Sequence, residues 1–446
     1  MTDARVSAQP APHSRREQAG WYVYDWANSA FITTVVTVFL GPYITVALAP
    51  SSADAQGFLH PFGIRVAVRA YWSFLIAAAA GLQVVALPLV AALADYSARK
   101  KQMLGACAYL GAAATIAMYW LTGAAYLRAG LLFLVANTAF GASVVLYNSF
   151  LPEIASPEDR DRVSSTGWGV GYLGGGLLLA LNLLLFLRAE ALGLSEGQAV
   201  RISLASAGAW WALFTLIPLA TLRNRRPARR LERGQSAVAA SVRQLWQTLR
   251  EARRYPQTLT FLLAYLLYND AIQTVILLAG QFGASELGIQ PGPLAGIILM
   301  AQFVGFFGAM GFNRVAACIG AQRAVMASLV WAGVALSMYS FVRTTAQFVF
   351  MAAVVALVLG GSQALSRSLF SVMIPKGREA EYFSVYEVSE KGTSWLCPLV
   401  FGILVQATGS YRTGTLALAG FFLAGLVVLA RVDVRRAARE AGNDAA

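Results

Sequence analysis

The sequence predicts an all-α membrane protein in which twelve transmembrane helices form two pseudo-symmetric bundles of six. Three observations lead to this fold class: the composition, the number of long apolar runs, and the distribution of positive charge. The 446 residues are 57% hydrophobic but only 13% charged, and the mean hydropathy is +0.58. Soluble domains carry roughly 25% charged residues, so this composition excludes a soluble enzyme.

Twelve apolar runs follow one another along the chain, and each can cross about 30 Å of hydrocarbon at a helical rise of about 1.5 Å per residue. The first six occupy residues 21–48, 70–94, 102–122, 130–152, 166–187 and 203–222. The second six occupy residues 257–282, 294–312, 324–342, 347–370, 383–406 and 413–430. Backbone groups in lipid must form hydrogen bonds within their own segment, so we expect these runs to be helices.

The predicted domain organisation follows from these runs. An amino-terminal tail (1–20) precedes a six-helix bundle (21–222), a basic linker (223–256), a second six-helix bundle (257–430) and a short carboxyl-terminal tail (431–446). The linker carries ten Arg and two Glu. Its part 242–254 resembles a basic amphipathic helix on the anionic leaflet, but a solvated basic linker that only fixes the topology is the preferred interpretation.

Positive charge predicts the orientation of the chain. If the amino terminus is cytoplasmic, the loops on that side hold 26 Lys and Arg, whereas the opposite loops hold seven. Cytoplasmic loops of membrane proteins are enriched in these residues, so both termini are expected inside. Because the basic residues alternate with apolar runs, topology explains the net charge of +13 better than a nucleic-acid partner does.

No cofactor or metal is expected. Cys107, Cys318 and Cys397 lie in or beside apolar runs without ligand spacing, and the only histidines are His13 and His60 in flanking polar regions. The chain also contains no phosphate-binding loop of the G-x-x-x-x-G-K-[ST] type. Any uphill movement of a solute would therefore depend on an electrochemical gradient.

The loop after the second span, LADYSARKK at 93–101, resembles the G-x-L-A-D-x-x-G-R-K signature of the major facilitator superfamily. Ala91 and Ala98 stand where that signature has glycines. The resemblance implies a major facilitator fold in which Asp95 and Arg99 tie the cytoplasmic ends of the two bundles together while the path is open outward. The alternative is a charged turn that serves only the topology.

The fifth span contains a stripe of glycines, because Gly167, Gly171 and Gly175 are spaced four residues apart on one helix face. Such a stripe lets another helix approach closely. It also resembles a glycine-rich signature of facilitator antiporters, although Tyr172 stands at the usual proline position. Helix packing is the preferred interpretation.

At a finer level, four stretches resemble the vacuole-effluxer family of facilitators. They are YDWANSAF at 24–31, YNSFLPEI at 147–154, LAYLLYND at 263–270 with QTVI at 273–276, and YEVSEK at 386–391 with Pro398 and Gly402. The fungal members are linked to amino-acid release from the vacuole. The resemblance implies a monomeric transporter of the bacterial inner membrane that moves a small solute, an amino acid or a related zwitterion.

Depth along each helix selects the candidate binding residues. Ionisable side chains cost on the order of 3 kcal/mol or more at the bilayer centre, and they persist where they pair or line a wet cavity. Asp270 lies near the middle of span 7 and is the first candidate for binding a substrate amine or a proton; alternatively, it is a protonated acid bonded to a neighbouring helix. The full candidate set is Tyr24, Asp25, Asn28, Tyr268, Asn269, Asp270 and Gln273.

Mixed charges near the cytoplasmic ends of the spans predict a gate between the bundles. Glu387 and Lys391 have the four-residue spacing of an intrahelical pair, and static pairing without gating is the alternative. The gating or charge-pair candidates are Arg367, Glu387, Glu390, Lys391, Asp95 and Arg99. Lower-ranked candidates for lining the path are Tyr147, Asn148, Trp168, Gln302 and Gln363.

The sequence therefore predicts a secondary transporter that works by alternating access, with the proton as coupling ion. A carboxyl group removed from water favours its protonated form and releases the proton when water returns, which suits Asp25 and Asp270. Efflux of a drug or metabolite is the main alternative. A membrane-embedded enzyme is a more remote alternative, because no spans carry grouped catalytic residues. A passive channel is equally remote, because two sets of six spans indicate a moving barrier.

Overall fold

The computed structural model describes residues 14–96, 98–155, 160–225, 250, 253–374, 386 and 394–442. Within these residues the chain is almost wholly helical, and its long helices overlap the predicted spans, the eleventh from residue 396 onward. We number them α1 to α12. They are Arg15–Ser52, Val68–Tyr96, Lys100–Ala117, Tyr126–Asn148, Arg160–Leu187, Glu196–Thr221, Pro256–Leu287, Pro291–Ile319, Ala321–Met338, Thr345–Val372, Leu396–Thr408 and Tyr411–Leu429.

Ten of these helices are long and apolar enough to cross a membrane. The other two contain shorter apolar stretches in the described residues, namely Pro291–Gly305 within α8 and Leu396–Thr408, which is α11. The fold class of an all-helical membrane protein is confirmed. Two short α-helices, Leu151–Ile154 and Val434–Glu440, follow α4 and α12.

Helix ends differ from the predicted spans where polar residues extend a helix beyond its apolar run. A capping box at Ser195 begins α6 several residues before its apolar run. A second capping box, at Thr344, begins α10 close to the start of its apolar run. Proline begins α7 and α8, and left-handed glycines at 288 and 409 end α7 and α11. The prediction that span 4 ends at residue 152 is wrong, because α4 ends at Asn148 and a separate turn, Leu151–Ile154, follows.

Helix α1 is irregular in its second half. Two π-helical segments, Phe31–Phe39 and Tyr43–Leu48, flank the short α-helical piece Leu40–Pro42. Wide π turns are rare and occur at functional sites more often than elsewhere. The irregular second half of α1 is also the part that contacts α7.

The helices pack in two equivalent sets, which we call the amino half (α1–α6) and the carboxyl half (α7–α12). In the amino half α1 packs on α5 and α6, and α4 packs on α2 and α3. The carboxyl half repeats the scheme, because α7 packs on α12, and α10 packs on α8 and α9. The halves meet where α2 contacts α11, α5 contacts α8, and α1 contacts α7. The α2–α11 and α5–α8 contacts are equivalent when the two halves are exchanged, as a pseudo-two-fold axis between the halves requires.

The glycine stripe of α5 packs against α1, which confirms the packing interpretation. A Cβ atom added at Gly171 would lie 2.8 Å from Ser29 Oγ, and one added at Gly175 would lie 2.7 Å from Thr33 Oγ1. At Gly167 it would lie 2.6 Å from the Trp21 ring. The stripe therefore brings α5 against the face of α1 that carries the predicted binding residues.

A small β-ribbon between α1 and α2 is a departure from an entirely helical fold. Phe58–Leu59 pairs antiparallel with Val66–Ala67. The Phe58 amide donates to Asp54 Oδ1, which, together with the His60 ring, holds the pKa of this exposed carboxyl below its usual value. The ribbon lies at the end of the molecule remote from Ser14 and Gly442, which we call the distal end; the opposite end is the proximal end.

Candidate functional site

In the amino half, the predicted residue Asp25 is bound by an aromatic side chain from α4. The Tyr147 hydroxyl donates to Asp25 Oδ2 over 3.1 Å. The Tyr147 ring stacks on Trp21 with ring centroids 4.2 Å apart, and Trp21 Nε1 donates to the Tyr147 carbonyl oxygen. These contacts fix the position of the hydroxyl at the carboxylate. Tyr147 was a lower-ranked candidate, and the structure makes it the direct partner of Asp25.

Asp25 lies deeper along its helix than the apolar run alone indicates. The apolar run begins at residue 21, but α1 begins at Arg15, because the polar residues before the run are also helical. Asp25 is therefore ten residues into the helix, roughly 15 Å along its axis. This depth is closer to that of Asp270, which is fourteen residues, or roughly 21 Å, into α7.

Tyr24 and Asn28 are buried beside Asp25, with 0% and 3% of their surfaces exposed. The Tyr24 and Tyr147 ring centroids are 5.2 Å apart. Three of the predicted residues and Tyr147 thus form one buried polar cluster where α1, α4 and α5 meet.

In the carboxyl half, Asp270 is 2% exposed and lies against the start of α11. The backbone amide of Cys397, the second residue of that helix, donates to Asp270 Oδ2 over 2.8 Å. A carboxylate at a helix amino terminus meets unsatisfied N–H groups and the positive end of the helix dipole. Oδ1 of the same carboxylate has no hydrogen-bond partner within the part of the chain that the structure describes.

The neighbours of Asp270 on α7 are bonded to α10. Gln363 Nε2 donates to Asn269 Oδ1 over 3.3 Å, and the Tyr268 hydroxyl lies 2.6 Å from Ser366 Oγ. The pair α7 and α10 corresponds to α1 and α4 in the amino half, so each half has a polar cluster between equivalent helices. Among the remaining candidates, Gln273, Gln302 and Asn148 are half-buried.

Several predicted residues fall where the structure gives no side-chain description. Glu387, Glu390 and Lys391 lie outside the described residues, as does most of the predicted amphipathic segment 242–254. Asp95, Trp168 and Arg367 lie in described helices, but their side chains do not belong to the described part. Arg99 is exposed just before α3. The gate predicted from these residues therefore stays a prediction.

A buried hydrogen-bond chain joins the two halves at the distal end, and sequence reasoning missed it. Gln281 of α7 donates through Nε2 to Thr45 Oγ1 of α1 over 2.6 Å and to the Tyr411 hydroxyl over 2.9 Å. The Thr45 hydroxyl then donates to the Gly41 carbonyl, and the Tyr411 hydroxyl donates to the Arg69 carbonyl of α2. Each donor is matched to an acceptor, so the chain runs from the carboxyl half to the amino half.

Charged groups surround this chain. Glu286 of α7 lies 3.4 Å from both Arg69 and Arg412, and its carboxylate accepts from the Tyr411 amide over 2.9 Å. Arg69 also donates to the Gly409 carbonyl over 2.7 Å. We call the set of Thr45, Arg69, Gln281, Glu286 and Tyr411 the distal latch.

Close backbone contact accompanies the distal latch. A Cβ atom added at Gly280 would collide with the Thr37 carbonyl oxygen, in the π-helical part of α1. At Gly402 of α11 it would lie 3.1 Å from the Phe74 ring of α2. The hydrogen bonds between described residues that connect the halves all lie at this end. The described structure is therefore closed at its distal end.

The proximal end of the amino half has its own charge cluster. Lys100 Nζ lies 2.8 Å from Glu153, and Arg225 lies 3.3 Å from Glu153 and 3.0 Å from Glu17. Glu17 and Lys100 are only 3% and 8% exposed. Lys100 belongs to the loop that resembles the facilitator signature, so its ion pair with Glu153 ties this loop to the turn after α4.

Signals for the missed residues were present but weak. Gln281 and Glu286 are polar residues near the end of a long apolar run, and Arg69 and Arg412 were counted only as topology charges. Their partners are distant in sequence, so local patterns cannot connect them. No group of three or more His, Cys, Asp or Glu side chains suited to a metal ion occurs among the described residues.

Comparison with known proteins gives consistent matches over nearly the whole chain. Residues 13–442 match the family described as "Vacuole effluxer Atg22 like". The MFS-type transporter YxiO of Bacillus subtilis is 29% identical over 94% of this chain and 95% of its own. Autophagy-related protein 22-1 of Penicillium rubens is 24% identical over 96% of this chain and 92% of its own.

Solved structures share the fold. A crystal structure of a mutant of the nucleoside transporter NupG superposes with a TM-score of 0.68, at 14% identity, over 93% of this chain and 99% of its own. At this identity the match shows the fold alone. The fold and the relatives are those of transporters, which confirms the prediction of a transporter over an enzyme.

Proposed function

Because the chain belongs to the Vacuole effluxer Atg22-like family and has the major facilitator fold of multi-pass secondary transporters, we propose that it moves an amino acid or a related zwitterion by proton-coupled alternating access. The observation that carries this proposal is the distal latch. Two equivalent halves are held together at one end by side chains that can separate without unfolding either half. Such an interface suits a barrier that opens and closes.

Two carboxylates, the buried Asp270 and the half-buried Asp25, supply the proposed chemistry. Asp270 keeps one oxygen on the Cys397 amide and has no partner for the other among described residues. We propose that this oxygen accepts a hydrogen bond from a substrate ammonium group or holds a proton. Asp25, with its Tyr147 partner, is the corresponding group of the amino half. A proton bound while the site is dry would leave when water enters.

Specificity for a zwitterion requires donors and acceptors together. Asn269 adjoins Asp270 in the chain and accepts from Gln363, and these two amides provide both kinds of group for a substrate carboxylate or polar side chain. Lys391 is the proposed alternative contact for the carboxylate. The residues Asp95, Arg99, Arg367, Glu387 and Glu390 are proposed to form the proximal gate that alternates with the distal latch.

The proposed orientation places both termini in the cytoplasm and the chain in the bacterial inner membrane. The distal latch would then face outward, so the structure represents a state closed to the outside. The excess of Lys and Arg in the proximal loops supports this orientation. We further propose that the monomer is the transporting unit.

Transport by purified protein tests the proposal directly. Proteoliposomes receive a panel of labelled amino acids, with and without an imposed pH gradient. We expect accumulation of at least one amino acid that depends on the gradient and is lost with a protonophore. Uptake without any gradient dependence would reject proton coupling, and movement of other metabolites instead would favour the efflux alternative.

A further inference from the structure

A basic cavity lies at the proximal end of the amino half, between the start of α1, the start of α3 and the segment after α6. Its volume is about 290 Å³. Arg16, Lys101 and Arg223 line it together with Thr221 and Asn224, and no acidic side chain is among the described residues that line it. The cavity therefore has the charge that suits an anion.

The charge of this cavity is not neutralised by the neighbouring acids. Glu153 and Glu17 are already bound by Lys100 and Arg225, and Glu17 also accepts from the Arg223 backbone amide. Within the described chain, Arg16, Lys101 and the Arg223 guanidinium form no ion pair. Arg16 and Arg223 are exposed and Lys101 is half-buried, so an incoming anion can reach all three.

An apolar groove continues from the cavity at Lys101. It runs along α3 and α6, has a volume of about 380 Å³, and is lined by Gly105, Ala106, Tyr109 and Leu219 besides Lys101 and Gln102. Flanking side chains on the same two helices are apolar and exposed, among them Leu110 (56%), Leu213 (62%) and Leu216 (55%). In a membrane-spanning chain such a surface faces acyl chains rather than water.

We propose that the cavity and the groove together bind one anionic phospholipid. The phosphodiester contacts Arg16, Lys101 and Arg223, and one acyl chain lies in the groove over Ala106. Basic pockets at helix ends attract anionic head groups, and each cation near the surface contributes to binding. A soluble phosphate would satisfy the cations equally well but would make no use of the adjoining apolar groove.

Native mass spectrometry of the full chain in detergent tests this proposal. The probes are dioleoyl phosphatidylglycerol and, as the neutral comparison, dioleoyl phosphatidylcholine. The wild-type protein should retain phosphatidylglycerol at several-fold lower lipid concentration than phosphatidylcholine. Combining Arg16→Gln, Lys101→Gln and Arg223→Gln should remove this preference, with about a fivefold loss in affinity for each cation. Equal affinity for the two lipids in the wild type would overturn the proposal.

Two further variants make the test specific. Arg314→Gln, Arg431→Gln and Arg435→Gln remove three exposed arginines outside the cavity; this variant should keep the wild-type preference. Ala106→Trp fills the groove at an exposed position and should weaken phosphatidylglycerol binding while the cations remain. Wild-type phosphatidylglycerol affinity in the Trp variant, with loss in the triple cation variant, would show that the cations bind the phosphodiester without the groove, and it would overturn the proposed lipid site of cavity and groove together. If the triple variant does not elute as a monodisperse protein, Lys101→Gln alone serves in its place.

Discussion

Gln281 of α7 donates to Thr45 of α1 over 2.6 Å, and this bond crosses between the two halves of the molecule. Both side chains are buried, with 0% and 6% of their surfaces exposed. Buried polar groups are costly when they lose their partners, so the bond favours the state in which the distal end is closed. The same glutamine also donates to Tyr411, which extends the connection to α2.

Gln281→Leu should open the distal end. The change removes two buried hydrogen bonds, which contribute about 2 kcal/mol together, or roughly a thirtyfold shift between states. Ile64 and Phe341 are exposed on distal loops of opposite halves. In a variant that lacks the three native cysteines, spin labels at these two positions measure the distance between the halves. We expect a longer distance. Gln322→Leu, whose amide bonds only within the carboxyl half, is the matched control; equal distance changes in both variants would reject the latch.

Glu286→Gln should have a smaller effect than Gln281→Leu. The carboxylate lies between Arg69 and Arg412, but the Arg69 side chain is 47% exposed. Solvent-exposed ion pairs contribute about 0–1 kcal/mol and are screened by salt. The same label pair should show a partial shift that diminishes as the salt concentration rises. A shift larger than that of Gln281→Leu, and independent of salt, would mean that the ion pairs dominate the latch.

Gly280→Ala should prevent full closure of the distal end. A methyl group at this position would collide with the Thr37 carbonyl oxygen, and neither backbone can move away without separating α1 from α7. We expect increased distal labelling by a membrane-impermeant maleimide at a cysteine introduced at Ala49, which is buried in the closed state. Gly420→Ala is the control, since no atom lies within 4 Å of its added Cβ. Unchanged labelling in Gly280→Ala contradicts the prediction.

Asp270→Asn should abolish gradient-driven accumulation while expression stays near normal. The amide oxygen can still accept from the Cys397 backbone, so the start of α11 keeps its partner, but the side chain can no longer carry a proton or a charge. Proteoliposome uptake with a pH gradient measures the effect. Asp54→Asn removes a carboxylate from the distal loop and should transport normally. Wild-type accumulation by Asp270→Asn would assign the residue a purely structural role.

Glu153→Gln should destabilise the amino half. The carboxylate binds both Lys100 and Arg225, and its loss leaves the Lys100 ammonium, with a side chain 9% exposed, without a counter-charge. Breaking a fully buried pair costs about 3–5 kcal/mol; partial exposure of Glu153 reduces our expectation to about 2 kcal/mol. Thermal unfolding in detergent measures the loss. Adding Lys100→Met should restore part of the stability, and no recovery would argue against the pair.

Much of the fold could be predicted from the sequence because each helix satisfies its own backbone. The apolar runs located the long helices of the described residues, and the glycine spacing in α5 predicted a close helix contact that α1 provides. The boundaries were less predictable, because hydropathy does not register polar helical turns. The first apolar run begins four residues before Asp25, for example, whereas α1 itself begins six residues before that run.

The candidate site, too, could be predicted from the sequence only in part. Asp25, Asp270 and their neighbours were recognisable because ionisable groups within apolar runs are costly and therefore few. Their partners were not recognisable, since Tyr147 and Cys397 are each more than 120 residues away along the chain. The distal latch shows the difference most clearly. In the sequence Gln281 is a single polar residue in a helix, and its connections to α1, α2 and α12 exist only in the folded structure.

The sequence by itself determined that this chain is an all-helical membrane transporter, because local hydropathy decides which segments can enter a membrane. Only the tertiary structure decided which end is closed, which side chains hold it closed, and which acids have partners. These depend on helix contacts between residues far apart in the chain, and the energy of such contacts appears only when both sides are in place.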